Sequence, residues 1–148
     1  MKETRWERPI IILLVEDNPG DARLTIEAFK EGLLPKEVHR VADGVEAIAF
    51  LRRTDRFIEA PRPDIILLDL NLPRKDGREV LEEVKKDPDL RRIPVIILST
   101  SSSPDDIKKT YDLQANCYLV KPADMYELIH ITQAIEDFWL KLVHLPVN

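Results

Sequence analysis

Three carboxylates, a hydroxyl pair and an ammonium are spaced along this chain so that one fold could bring them together. Glu16 and Asp17 end the apolar run "IIILLV", Asp69 and Asn71 end "DIILLDLN", Ser99 and Thr100 follow "PVIIL", and Lys121 follows "CYLV". Neighbouring anions repel, and each loses by leaving water unless a cation or donor compensates it. Two unit charges about 4 Å apart repel by about 4 kcal/mol at an effective dielectric near 20. A hard divalent cation relieves that repulsion, and Mg²⁺ takes oxygen ligands while keeping waters and accepting phosphate oxygens. Lys121 suits a phosphate oxygen as a point charge, and Ser99 or Thr100 could donate a hydrogen bond to another. Metal, ammonium and hydroxyl around Asp69 are what phosphoryl transfer to that carboxylate requires.

Such chemistry needs elements that converge. Five apolar runs recur, at Ile10–Val15, Glu37–Ala42, Asp64–Leu70, Pro94–Ser99 and Cys117–Val120. Most are continuously apolar, as in parallel strands covered on both faces. Amphipathic segments separate them near Ala22–Glu31, Val45–Arg53, Arg78–Lys86 and Asp105–Leu113, with a longer one from Met125 to Val143. The turns "NPGD", "ADG", "LPRKDG", "SSSP" and "KPAD" punctuate the pattern. Asp76 before Gly77 and Ser103 before Pro104 read as helix N-caps. The alternation predicts an α/β fold, a doubly wound five-stranded parallel sheet with helices on both faces. In such sheets sites lie beyond the carboxyl ends of the strands, and all the residues above fall there.

Composition bounds the rest. The chain has 148 residues, a net charge of −5, and 44% hydrophobic against 33% charged residues, which suits one globular domain without a global basic footprint for nucleic acid. Cys117 alone excludes an internal disulfide, and no apolar run approaches a membrane span. The expected location is cytoplasmic. Neither a G-x-G-x-x-G nor a P-loop pattern occurs, and Asn71 stands where an aspartate-nucleophile phosphatase would carry a second acid.

The segments "LLVEDNPGDARL", "DIILLDLNLPRKDG", "PVIILSTS" and "YLVKP" resemble, in order and at matching separations, two-component response-regulator receiver domains from about Pro9 to Phe138. The resemblance implies a flavodoxin-like fold with strand order 2-1-3-4-5, preceded by an arm at residues 1–8, with residues 9–148 a single receiver and no output domain. It implies Asp69 as phosphoacceptor for a sensor histidine kinase. Mg²⁺ would be held by Glu16, Asp17, Asp69 and the backbone carbonyl of Asn71. Ser99 takes the switch hydroxyl position, Tyr118 the switch aromatic, and Lys121 the phosphoryl contact, before a cis bond to Pro122. Glu16 replaces the more usual Asp, and Ser99 the more usual Thr.

The tail "AIEDFWLKLVHLP" is similar to stand-alone receivers paired with phytochrome-type kinases. At about 100° per residue, the last amphipathic segment puts Leu128, Ile135, Trp139 and Leu142 on one face, with Ile129 and Phe138 widening it. The expected use of that surface is a homodimer through the last strand and last helix. A receiver-like module that works without phosphorylation is the alternative, and it has no need of Asp17, Asp69, Ser99 and Lys121 together. Taken singly, these residues are commonplace: Asp17 could cap a helix, Tyr118 could be a core-edge aromatic, and Ser101–Ser103 a plain loop.

Overall fold

The computed structural model describes residues 8–146; of the expected arm at 1–8, only Arg8 lies among them. Five strands, β1 (Ile10–Val15), β2 (Lys36–Val41), β3 (Ile65–Leu68), β4 (Val95–Ser99) and β5 (Cys117–Val120), form one parallel sheet in the order β2-β1-β3-β4-β5. Each crossover carries a helix: α1 (Pro19–Phe29), α2 (Gly44–Arg52), α3 (Gly77–Lys86) and α4 (Pro104–Asp112), with α5 (Met125–Ile135) after the last strand. The expected class and strand order are both found.

The continuous apolar runs explain the layering. Every residue of β1, β3 and β4 is buried, because both faces of the sheet are covered. On one side Leu13, Val15, Ile66 and Ile97 pack against Ala47 and Phe50 of α2 and Val80, Leu81 and Val84 of α3. On the other Ile12, Leu14, Leu67 and Ile96 meet Ala22 and Phe29 of α1 and Ile135 of α5. Period-2 alternation along each strand assigns its residues to the two cores.

The helix starts follow local chemistry. Asn18 caps α1 by accepting from Asp21 N–H at 2.9 Å, so the cap is Asn18 and not Asp17. Ser103 caps α4, and Asp76 caps α3 in a reciprocal box with Glu79. Gly77 is sterically required, since a Cβ there would lie 2.2 Å from the Asp69 carbonyl oxygen. The loop carrying the central acid can close back on its own strand only at a residue without a side chain.

The end of the chain departs from the sequence expectation. After Ile135 the helix widens into a π-helical segment, Glu136–Leu142, whose hydrogen bonds reach one residue further than α-helical ones. The wider turn changes which residues face inward. Leu140 is fully buried, while Phe138 and Leu142 are exposed. Leu128 and Ile135, expected on the partner face, are instead buried in the chain's own fold. Trp139 leans on the second core, with the Phe138 ring edge-on to it at 5.5 Å between centroids. Glu136, also buried, pairs with Lys36 at 2.7 Å and accepts from Leu33 N–H at 3.2 Å.

A candidate phosphoacceptor site at the carboxyl edge of the sheet

β1 and β3 are neighbours in register, so the residues that follow them emerge side by side. Asp69 N–H donates to Val15 C=O at 3.1 Å, the last rung of that ladder. Beyond it one carboxylate oxygen from each of Glu16, Asp17 and Asp69 lies within 4.8 Å of the others. Glu16 is buried, Asp69 half-buried and Asp17 exposed. A cluster of oxygen donors alone, open on one side, fits a hard divalent cation and not a soft one.

The lysine is delivered by β5. Lys121 N–H bonds Ser99 C=O at 2.7 Å, and its ammonium lies 2.5 Å from Glu16, 3.5 Å from Asp21 and 3.6 Å from Asp69. Burial raises the Glu16 carboxyl above the ordinary range, against the opposing pull of Lys121 and the Asn18 N–H. Burial alone would lower Lys121, but Glu16 and then Asp69 and Asp21 outweigh it and carry the ammonium upward.

Asn71 is exposed at the start of the loop after β3, with its N–H 3.4 Å from Asp69 Oδ1. Ser99 is fully buried at the end of β4 and accepts from Ser101 N–H at 3.3 Å, whereas Thr100 faces solvent. Ser99 is therefore the inward hydroxyl of the pair. Tyr118 is half-buried against the first core, and its hydroxyl donates to Ser101 C=O at 2.8 Å. Ser101 in turn donates to Asp106, which pairs with Arg78 at 3.0 Å, so the loop after β4 is held from β5, α4 and α3 at once.

One expectation fails. No peptide bond among the described residues is cis, so the Lys121–Pro122 bond is trans. Proline reduces the preference for trans to about 0.5–1 kcal/mol without reversing it, and the bond here keeps the ordinary isomer.

Two side chains in the site escaped the sequence pattern. Asp21 stands in the first turn of α1, where an acid reads as an ordinary partner of the helix N-terminus, and it reaches the site through Lys121 at 3.5 Å. Arg40 on β2 offered no signal: its Nε donates to Glu16 C=O at 2.9 Å and its Nη2 to Asp17 C=O at 3.1 Å, across more than twenty residues of chain.

A doubly wound 2-1-3-4-5 sheet with this acidic cluster and lysine at its carboxyl edge is the architecture of a signalling receiver. The chain matches the response regulator receiver domain over residues 12–133 and belongs to that family. It is 49% identical over 138 residues to the response regulator Rcp1 of Synechocystis sp., spanning 93% of this chain and 94% of that protein. The crystal structure of the Mn²⁺-bound form of Rcp1 superposes with a TM-score of 0.87, covering 94% of this chain and all of the other. The phosphorylated cyanobacterial phytochrome response regulator RcpA, 53% identical, superposes at 0.90 over 95% of this chain and 100% of that one. The chain is thus a response-regulator receiver, and among the described residues no helix is long and apolar enough to cross a membrane.

Proposed function

We propose that the chain is a stand-alone response regulator that takes a phosphoryl group from a sensor histidine kinase onto Asp69, with Mg²⁺, and works as a cytoplasmic switch without DNA binding. The observation that carries the reading is the meeting of Glu16, Asp17 and Asp69 within 4.8 Å beside the Lys121 ammonium. A carboxylate oxygen of Asp69 attacks phosphorus, the phosphorus–nitrogen bond to the kinase histidine breaks, and its electron pair returns to the imidazole. Glu16, Asp17, Asp69 and the Asn71 carbonyl would hold the cation, which when bound neutralises the phosphoryl oxygens. Lys121 offers a second positive charge to them. Ser99 moves toward the new phosphate, the loop after β4 shifts, and Tyr118 follows.

The likeness to Rcp1 and RcpA, the latter described as a phytochrome response regulator, supports a phytochrome-type kinase as the donor. The exposed Phe138 and Leu142, with half-buried Ile129 and Trp139 nearby, support a homodimer through the last strand and last helix.

Acetyl phosphate with Mg²⁺, read by intact mass, tests the acceptor. Wild type gains one phosphoryl group, and Asp69→Asn or omission of Mg²⁺ prevents it. A modified Asp69→Asn chain would overturn the assignment. Wild type left unmodified both by acetyl phosphate and by a phytochrome-type kinase would favour an interaction module independent of phosphorylation.

A further inference from the structure

β1 makes its last ladder bond at Glu16, whose N–H donates to Val41 C=O at 3.1 Å. α1 begins at Pro19, and its cap residue Asn18 is occupied with the Asp21 N–H. The carbonyls of Glu16 and Asp17 therefore fall between a strand that has ended and a helix that has not begun. Neither is in a ladder. Within this stretch the Asn18 N–H donates to Glu16 Oε2 at 3.1 Å, and the direction of the Asp17 carboxylate follows the peptide planes on either side of it.

Arg40 adds a tie from the neighbouring strand. It stands opposite Leu14 on the edge strand β2, half-buried, and its guanidinium takes both consecutive carbonyls, Nε on Glu16 and Nη2 on Asp17. Two fixed carbonyls fix two successive peptide planes, and with them the exit of the Asp17 side chain. The planar fork can do this in a way a single ammonium cannot. The charge sits behind the acids, on their backbone, and pairs with none of the three carboxylates that face the open side.

We propose that Arg40 is a positioning residue for the cation site, acting through the backbone of Glu16 and Asp17 and not by contact with the metal or the phosphoryl group. The proposal rests on the reading of Glu16, Asp17 and Asp69 as the cation site. Its direction is diagnostic. Loss of a nearby positive charge should by Coulomb's law make a cation bind more tightly, whereas loss of an anchor should make it bind more weakly. Groups that orient metal ligands from behind are worth about 10–100-fold in affinity.

The experiment is a calorimetric titration of Mg²⁺ into the full chain as wild type, Arg40→Met, Arg40→Lys and Asp17→Asn, with denaturant unfolding of each. Arg40→Met should bind about tenfold more weakly than wild type. Arg40→Lys, which keeps the charge but loses the fork, should fall between them. Hydrogen exchange at the Asn18 amide should quicken in the same order. Wild-type or tighter binding by Arg40→Met overturns the proposal and leaves the site standing, provided Asp17→Asn has lost affinity. If Arg40→Met does not fold, wild-type affinity in Arg40→Lys overturns it. If wild type takes up no Mg²⁺, or Asp17→Asn binds as wild type does, the cation site fails and the role of Arg40 falls with it.

Discussion

The Lys121 ammonium lies 2.5 Å from Glu16 and 3.6 Å from Asp69, so the lysine of β5 is held first by the acid of β1 and only second by the acceptor. The extra methylene of Glu over Asp at position 16 gives the carboxylate that reach. Both of its oxygens are engaged, Oε1 by Lys121 and Oε2 by the Asn18 N–H, which leaves Asp17 as the more open of the adjacent acids. Glu16→Gln should destabilise the chain by about 1–3 kcal/mol, read from urea unfolding. That is less than a fully orphaned buried charge would cost, because Asp69 and Asp21 remain beside the lysine. An unchanged unfolding midpoint would show that the pair contributes nothing net.

Gly77 lies against the carbonyl of the acceptor residue itself. Gly77→Ala must push the loop off β3, and overpacking of this kind costs about 1–3 kcal/mol. Because the displaced atom belongs to Asp69, phosphorylation by acetyl phosphate should slow in a chain that still folds. A variant with wild-type stability would show that the loop has another way to close.

Tyr118 fastens the loop after β4 through one hydrogen bond to Ser101. Tyr118→Phe keeps the ring and deletes the bond, so stability should fall by about 0.5–1.5 kcal/mol. Amide exchange should quicken at Ser101 and Ser103 and remain slow in β3. Uniform exchange in the two proteins would mean that the Asp106–Arg78 tie holds the loop unaided.

Glu83 titrates in a way that can be followed. Hydrogen bonds from Lys75 and then Arg52 hold its carboxyl below the usual range, against some burial. Its folded pKa is therefore depressed, and in the acid window the unfolded chain binds more protons than the folded one. The contribution is present above the ordinary carboxyl pKa of 4.5 and is lost as pH falls through the lower folded value. Glu83→Gln should flatten that acid limb, with an effect of up to about 1 kcal/mol for so accessible a pair. A variant that follows the wild-type curve from pH 6 to pH 3 would remove the assignment.

The last segment separates inside from outside residue by residue. Leu140→Ala empties a fully buried position and should cost about 2–5 kcal/mol. Phe138→Glu and Leu142→Glu alter exposed positions and should leave thermal stability nearly unchanged while weakening self-association in sedimentation. The reverse pattern would mean that the helical face had been assigned backwards.

How much of this was written in the sequence differs by scale. Strand identity was legible because β1, β3 and β4 are buried on both faces and so are apolar without interruption. The site was legible because Glu16, Asp17, Asp69, Ser99 and Lys121 each stand at or just after the end of an apolar run. Arg40 was not, since a side chain that finds backbone carbonyls of another strand needs only length and donors, and leaves no periodic trace. Leu128 and Ile135 were misplaced because the stripe read as a partner face is the one that α5 turns inward, and beyond Ile135 a period of 3.6 no longer holds, so that Leu140 goes inward. The trans bond before Pro122 was missed because proline permits both isomers and the residue pattern does not choose between them.

The buried meeting of Glu136 with Leu33 and Lys36 has a meaning for the order in which the molecule assembles. Leu33 and Glu136 are 103 residues apart, and the intervening chain contains four of the five strands. Chain entropy disfavours so wide a closure until the sheet has already drawn its ends together. The contact is accordingly a late fastener. It adds little to the speed of folding, and its value lies in slowing the first step of coming apart.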